Sequence, residues 1–408
     1  MSAGSAAPLR TGLHAAADAV LAASVERENG VPGVVAMVTD RSATIYAGAA
    51  GRRGLERADP MTTDTVMCLH SCTKAVTTVA VMQLVEAGAL ELDDAAKTYV
   101  PEIAESRVLA GFDAAGEPLL RAPAGHVTVE HLLLHTSGFG YDFFNYDLAR
   151  YTKARSVPSV VSGSLAALET PLLFDPGTRW EYGCGIDWAG RVVEAVRGKR
   201  LGAVLREHVF DPLEMNETGF RLTPALRARR ATIHQRADDG KLTAKPKIEL
   251  PQDPEVEMGG HALYGTVGDY MKFIRMVLAD GAAPGGRSVL EPRTVARMAS
   301  NGLGPLKVRP LPGALPRVSN AVDFFPGIDK SWGYGWMIND EVAPTGRPAG
   351  ALGWAGIANL FYWIDRRNAI GGFWATQIFP FIDPVSFPAY LEFESSVYDH
   401  LRCDSPSA

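Results

Sequence analysis

Cysteine is scarce in this sequence: Cys68, Cys72, Cys184 and Cys403 are its four. No two of them form a C-x-x-C pair, and the set has no zinc-site spacing. Neither a disulfide framework nor a structural metal is expected, and the four read as free thiols of a reducing compartment. Uninterrupted apolar runs of the ~18 residues that cross a membrane are missing. Charge of one sign is missing too. Lys and Arg total 40 against 46 Asp and Glu, for a net charge of -6. That balance lacks the electrostatic footprint of a nucleic-acid partner or of binding to an anionic membrane. There is no Walker A loop, no G-x-G-x-x-G, no H-E-x-x-H and no serine in G-x-S-x-G, so the usual nucleotide sites, zinc proteases and nucleophile elbows are excluded. GCGIDW is only a near miss to a glycine fingerprint. His131 and His135 stand four apart without an obvious third ligand, which favours structural histidines over a metal pair. Internal repeats and low-complexity tracts are absent.

What is present is ordinary globular material. The 408 residues are 47% apolar and 21% charged, enough to bury a large core without covalent staples. At roughly 150 residues per domain, the length allows two or three units or one large enzyme domain with an inserted lobe. Residues 11–28 read as an amphipathic helix. Its Asp18, Glu26 and Arg27 separate it from a signal peptide, so a cytoplasmic location is expected. GVVAMVTD and ATIYAGAAG read as strands around an Asp40-Arg41-Ser42 turn. The stretch CLHSCTKAVTTVAVMQLVEAGALELDD reads as a buried helix stopped at Gly88. Short helices and loops fill the middle, the clearest being TVEHLLLHTSG, GIDWAGRVVEAVRG and LGAVLREHVFDPLEM. TVGDYMKFIRMVLADG opens on an N-capping Thr266. In the last third, GYGWMIN, LGWAGIANLFYWID and AIGGFWATQIF are aromatic and β-branched, as strands are, and a helix closes the chain over about 387–401. Strands at both ends with helices between predict one sheet built from the two termini. The expected organisation is a discontinuous α/β sheet domain, 1–92 plus 260–408, and a mainly helical lobe, 93–259.

The chemistry concentrates in HSCTK. Ser71 and Lys74 are three apart at the start of an apolar helix, so their side chains share a face. A serine hydroxyl attacks carbonyls only when a neighbouring group takes its proton. A desolvated lysine one turn away can do that, or can stay charged and support another base. The helix N-terminus adds a field that favours negative charge at Ser71. Spacing alone leaves an ordinary helix start equally open.

The wider pattern is more specific. VMCLHSCTKAVTTVAVMQLVEAGALELDD, VTVEHLLLHTSGFGYD, FDPGTRWEYGCG and GWAGIANLFYWID follow one another in this order. Together they resemble the serine β-lactamase and penicillin-binding (DD-peptidase) superfamily over about residues 15–400. Within it the chain is most similar to family VIII carboxylesterases, the esterases on a class C β-lactamase scaffold. The resemblance implies the serine β-lactamase-like α/β fold, a mainly antiparallel sheet flanked by helices with an inserted helical lobe. It implies Ser71 as acylating nucleophile, Lys74 as its partner and Tyr182 as the tyrosine of the second motif. Cys184 stands where β-lactamases place the asparagine of Y-x-N, so that amide contact to substrate is not available. The K-T-G strand is matched by Gly353-Trp354-Ala355-Gly356. Trp354 carries no cation, so an anionic β-lactam loses a charge-assisted contact of about 1.5–3 kcal/mol. Neutral acyl substrates gain by comparison. Tyr182 is then expected to depend on Lys74 for activation. The oxyanion donors implied are the backbone N–H groups of Ser71 and Ile357. Trp354 and Gly356 are expected to line the substrate site and Tyr141 to face it, with Tyr264 a weaker candidate.

The resulting expectation is a serine carboxylesterase acting on small or short-acyl esters through an acyl-enzyme on Ser71. No metal or organic cofactor is implied, and the partner is a small-molecule ester. Three alternatives remain: an acyltransferase using the same acyl-enzyme, a β-lactamase or D-amino-acid peptidase, and a non-catalytic acyl-binding sensor on the same fold. Tyrosinate and neutral lysine are both open as the base. The loops at about 141–165, 237–258 and 304–330 are expected to shape the pocket.

Overall fold

The computed structural model describes residues 12–401. Cys403, read as a free thiol, lies outside them, while Cys68, Cys72 and Cys184 are buried and unbridged. The centre is a seven-stranded antiparallel sheet. Its order is Thr44–Gly51, Gly33–Thr39, Ile370–Ala375, Leu360–Asp365, Leu352–Gly356, Met337–Asn339 and Lys330–Trp332. Strands from the two ends of the chain therefore lie side by side, with Met37 opposite Phe373. The expected fold class is borne out.

Alternation along the strands decides which helix covers which face. Trp374 packs on Phe393 of the closing helix Ser386–Leu401, and its indole donates to Ser386 Oγ. Its neighbour Phe373 points the other way, against Tyr270 of the helix Val267–Leu278. Helices on both faces bury the central strands completely, which is why they read as continuous apolar runs. Thr266 caps the second of these helices by accepting from the Asp269 N–H at 3.2 Å. The helix Thr73–Glu86 lies beyond, buried on nearly every side, and packs against Gly185–Arg197 of the inserted segment.

Local differences from the sequence reading have local causes. LGWAGIANLFYWID is a hairpin rather than one strand, because Asn359 takes the left-handed φ of +61° that asparagine tolerates. Two short hairpins, Val108–Phe112 with Pro118–Arg121 and His234–Arg236 with Leu242–Ala244, interrupt the mainly helical middle. LGAVLREHVFDPLEM begins as an α-helix and widens into a π-helical turn over Arg206–Phe210. Among the described residues, no helix is long and apolar enough to cross a membrane.

Candidate active site

Ser71 is presented by a tight turn between a strand and a helix. The strand Val66–Cys68 pairs with Tyr264–Thr266 and is held from the sheet by Gln377, whose side chain bonds both backbone groups of Cys68. His70 then adopts a φ of +46°, an uncommon left-handed conformation for a residue with a Cβ. A single 3-10 turn, His70–Cys72, leads into Thr73–Glu86. This corner leaves Ser71 half-exposed while its neighbours His70, Cys72, Thr73 and Lys74 are buried. Burial keeps His70 neutral, with its pKa lowered to about 3, and keeps the Cys72 thiol protonated.

Lys74 lies one helical turn further on and is fully buried. Its Nζ donates to Tyr141 Oη at 2.9 Å and to the Gly260 carbonyl at 2.8 Å. Tyr141 Oη in turn donates to Asp187 Oδ2 at 3.0 Å. The other carboxylate oxygen accepts from the Gly260 N–H at 2.8 Å, and His261 Nδ1 lies 3.3 Å from it. Thr77, also on the helix, donates to the Gly259 carbonyl at 2.7 Å, so the glycine loop is tied to two successive turns. A side chain at 260 would collide with the Asp187 carboxylate, which explains the glycine there. Burial lowers the Lys74 pKa to about 8, against an opposing pull from the Asp187 charge. Burial pushes the Asp187 carboxyl up, but His261, the Lys74 charge and the Gly260 N–H together hold it below its ordinary value.

Tyr182 faces Ser71 from the other side. Its Oη accepts from Trp354 Nε1 at 2.9 Å, and Ser71 lines the same cavity. Burial raises the phenol well above its usual pKa, and the neighbouring Ser71 and Trp354 donors pull it back only in part. The ring packs on His135, Trp354 and Phe144, with the Lys74 ammonium 4.7 Å from its centroid. His135 is a neutral imidazole here: burial, and then the nearby Lys74 charge, lower its pKa far below the usual value. Trp354 was expected to bring no cation to this tyrosine. It supplies no charge, but its indole N–H is a hydrogen-bond donor to the phenol oxygen.

The strand Leu352–Gly356 brings Trp354, Gly356 and the half-buried Ile357 against the Ser71 turn. A Cβ at 356 would sit 2.6 Å from the Leu69 carbonyl oxygen. The glycine thus admits the protein's own backbone, a tighter demand than the approach of substrate. Beside Ser71, a cavity of about 20 Å³ is walled by Phe143, Phe144, Leu311, Phe381 and Trp354. By the same measure that is room for about one water. Two larger clefts, of about 280 and 380 Å³, lie on the inserted segment and contain none of these residues.

The structure brings Ser71, Lys74, Tyr182, Trp354, Gly356 and Ile357 to one place. Tyr141 reaches it too, but buried, with its hydroxyl committed to Lys74 and Asp187. Tyr264 does not: its hydroxyl accepts from the Leu250 N–H at 2.9 Å in a separate small cluster. His131 closes a capping box with Thr128. The loops at 141–165 and 304–330 contribute to the cavity through Phe143, Phe144 and Leu311, whereas 237–258 contributes none of its lining. Sequence reasoning missed Asp187, His261, the Gly260 peptide and Phe381. Asp187 had a usable signal, as an acid set among apolar residues of a helix, since a buried carboxylate requires partners.

The Beta-lactamase family matches residues 17–395. A monacolin J acid methylbutanoyltransferase of Aspergillus terreus is 31% identical over 384 residues, covering 90% of this chain and 92% of its own. A lovastatin esterase of Penicillium rubens is 33% identical over 362 residues, covering 85% and 89%. Among solved structures, an unliganded simvastatin synthase of Aspergillus terreus superimposes with a TM-score of 0.82 at 29% identity, covering 95% of this chain and 98% of that one. Similarity of this extent, to transferases and an esterase alike, means that the chain belongs to the serine β-lactamase family and is an acyl-enzyme hydrolase or acyltransferase within it.

Proposed function

We propose that this enzyme is an acyltransferase that moves a short, uncharged acyl group from an ester donor to an alcohol through an acyl-enzyme on Ser71. In the first half-reaction Ser71 Oγ attacks the donor carbonyl. Its proton passes to neutral Lys74 beside Tyr182, and the N–H groups of Ser71 and Ile357 hold the oxyanion. The ester bond breaks, and the departing alkoxide takes the proton back by the same route. In the second half the acceptor hydroxyl attacks acyl-Ser71, and its proton returns to Ser71 Oγ. Water in place of the acceptor gives hydrolysis by identical steps. Lys74 serves as base because burial brings its neutral form within reach near pH 8, whereas Tyr182 stays protonated at rest.

The observation that carries this reading is the apolar cavity at Ser71, narrow, aromatic and without a cation. Its uncharged, aromatic walls suit a neutral acyl group better than an anionic one. The methylbutanoyltransferase of Aspergillus terreus, similar over nine-tenths of the chain, ranks transfer above hydrolysis, the reverse of what the sequence led us to expect. The Penicillium lovastatin esterase supports carboxylesterase activity as a second reading. A β-lactamase reading is disfavoured by Trp354, and rapid turnover of a chromogenic cephalosporin would reverse that.

The test is reaction of p-nitrophenyl butyrate with and without a secondary alcohol, for the wild type beside Ser71→Ala. The butyryl ester should overtake free butyrate as the alcohol is raised, and both products should vanish in the variant. Hydrolysis alone at high alcohol would make the enzyme an esterase. Turnover surviving Ser71→Ala would displace the site.

A further inference from the structure

Lys74 and three groups around it form a closed ring of hydrogen bonds. Lys74 Nζ donates to Tyr141 Oη and to the Gly260 carbonyl, Tyr141 Oη donates to Asp187 Oδ2, and the Gly260 N–H donates to Asp187 Oδ1. Asp187 is acceptor-only when ionised. It is fully buried, 73 residues from Gly260 and 46 from Tyr141 in sequence. Nothing in the reaction above uses it.

We propose that Asp187 is a positioning residue that fixes which way the Tyr141 hydroxyl points, and thereby turns the remaining valence of the Lys74 nitrogen toward Ser71 and Tyr182. The inference rests on Lys74 being the base. A phenol has one proton. Because Asp187 can only accept, Tyr141 gives that proton to Asp187 and offers Lys74 a lone pair. A neutral amine has two N–H bonds and one lone pair. Tyr141 Oη and the Gly260 oxygen take both N–H bonds, so the lone pair is left for the proton from Ser71. Without Asp187, Tyr141 could donate to Lys74 and cap the lone pair that must act as base.

The other groups facing Lys74 do not replace this control. Cys72 and Cys184 are buried thiols held protonated, and His135 is neutral. Tyr182 presents its ring to the nitrogen, and its oxygen bonds Trp354. His261 approaches the ring of bonds only through Asp187.

Asp187→Asn tests the idea with a nearly isosteric side chain. The Gly260 N–H belongs to the backbone and cannot turn. The amide oxygen must face it, so the amide NH2 faces Tyr141 and reverses its hydroxyl. The charge that favours the Lys74 cation disappears in the same step. Two readouts follow. The acylation burst with p-nitrophenyl butyrate should fall at least about tenfold on its alkaline plateau. The 13Cε titration of Lys74, assigned by its loss in Lys74→Met, should move down by about one pH unit or more. In a Tyr141→Phe background the Asn substitution should change acylation by less than about twofold, because both act through one hydroxyl. A purely structural role would lower the active fraction with the titration unmoved, and an unmoved titration overturns the proposal. Should Asp187→Asn fail to fold, Tyr141→Phe removes the hydroxyl that Asp187 orients: one Lys74 N–H loses its acceptor and the lone pair its fixed direction, so acylation should fall on the alkaline plateau, and unchanged acylation there overturns the proposal as well. If the wild type forms no acyl-enzyme, the acyl-transfer reading fails, while the Lys74 titration still decides the role of Asp187.

Discussion

On one side of Ser71, Lys74 is bound into a ring of polar groups: the Tyr141 hydroxyl, the Asp187 carboxylate and the Gly260 peptide. On the other, Tyr182 stands among Trp354, His135 and Phe144, with one indole N–H and the Ser71 hydroxyl for company. Both flanks are buried, so the local dielectric is low on both. The outcome differs because only one flank holds a counter-charge. Asp187 resists the loss of the Lys74 proton, and the pKa of Lys74 settles near 8 rather than lower. Tyr182 has no cation hydrogen-bonded to its oxygen, and its phenol stays protonated at rest. On the proposed mechanism the labour divides: the polar flank takes and returns the proton, and the aromatic flank shapes the acyl site.

The sharpest way to break the comparison is to remove the charged flank. Lys74→Met should cut acylation about 10²–10⁴-fold, the range of a lost general base. Its melting temperature should hold or rise, because a buried amine is replaced by a thioether of similar length. Burst kinetics and a thermal melt check the two parts. Acylation within tenfold of wild type would put the base elsewhere. The pH profile of the unaltered enzyme sharpens the same point. If neutral Lys74 is the base, kcat/KM falls as pH drops through about 8, since protonation removes the base. A profile that falls instead as pH rises through that value would assign the base to a tyrosinate beside a charged lysine.

A smaller effect is expected where the flanks meet. Gly356→Ala places a methyl 2.6 Å from the Leu69 carbonyl and should force the strand off the nucleophile turn. A loss of about 1–3 kcal/mol of stability is expected from such overpacking, and denaturant unfolding measures it. Wild-type stability would mean that the turn yields at no cost. The smallest effect belongs to the aromatic flank. Trp354→Phe keeps a ring but removes the hydrogen bond to Tyr182, worth about 1 kcal/mol or roughly fivefold. It should appear in kcat rather than KM, because the indole N–H bonds the Tyr182 hydroxyl and not the donor ester. A change confined to KM would make Trp354 a binding residue only.

Much of this site was readable because its parts are local in sequence. Ser71 and Lys74 share one helical turn, and Trp354, Gly356 and Ile357 share one strand end. The capping at Thr266 and the two N-terminal strands were readable for the same reason, since a few adjacent residues settle each. The ring around Lys74 was not. Asp187 and Gly260 were in view, within GIDWAG and GGHALYG, but nothing local says that their polar groups meet. Tyr141 was in view as well, and it turned out to bond Lys74 rather than face substrate. Phe381 reaches the cavity because its backbone pairs with residues 318–320, some sixty residues earlier.

The amino-acid order by itself determined the family, the serine–lysine pair and the absence of a cation at Trp354, because each is carried by residue type at fixed short spacing. Tertiary structure alone decided which polar groups surround Lys74. Four segments far apart in the chain must close on one buried nitrogen before each donor has a single acceptor. Burial away from water then gives that arrangement its force.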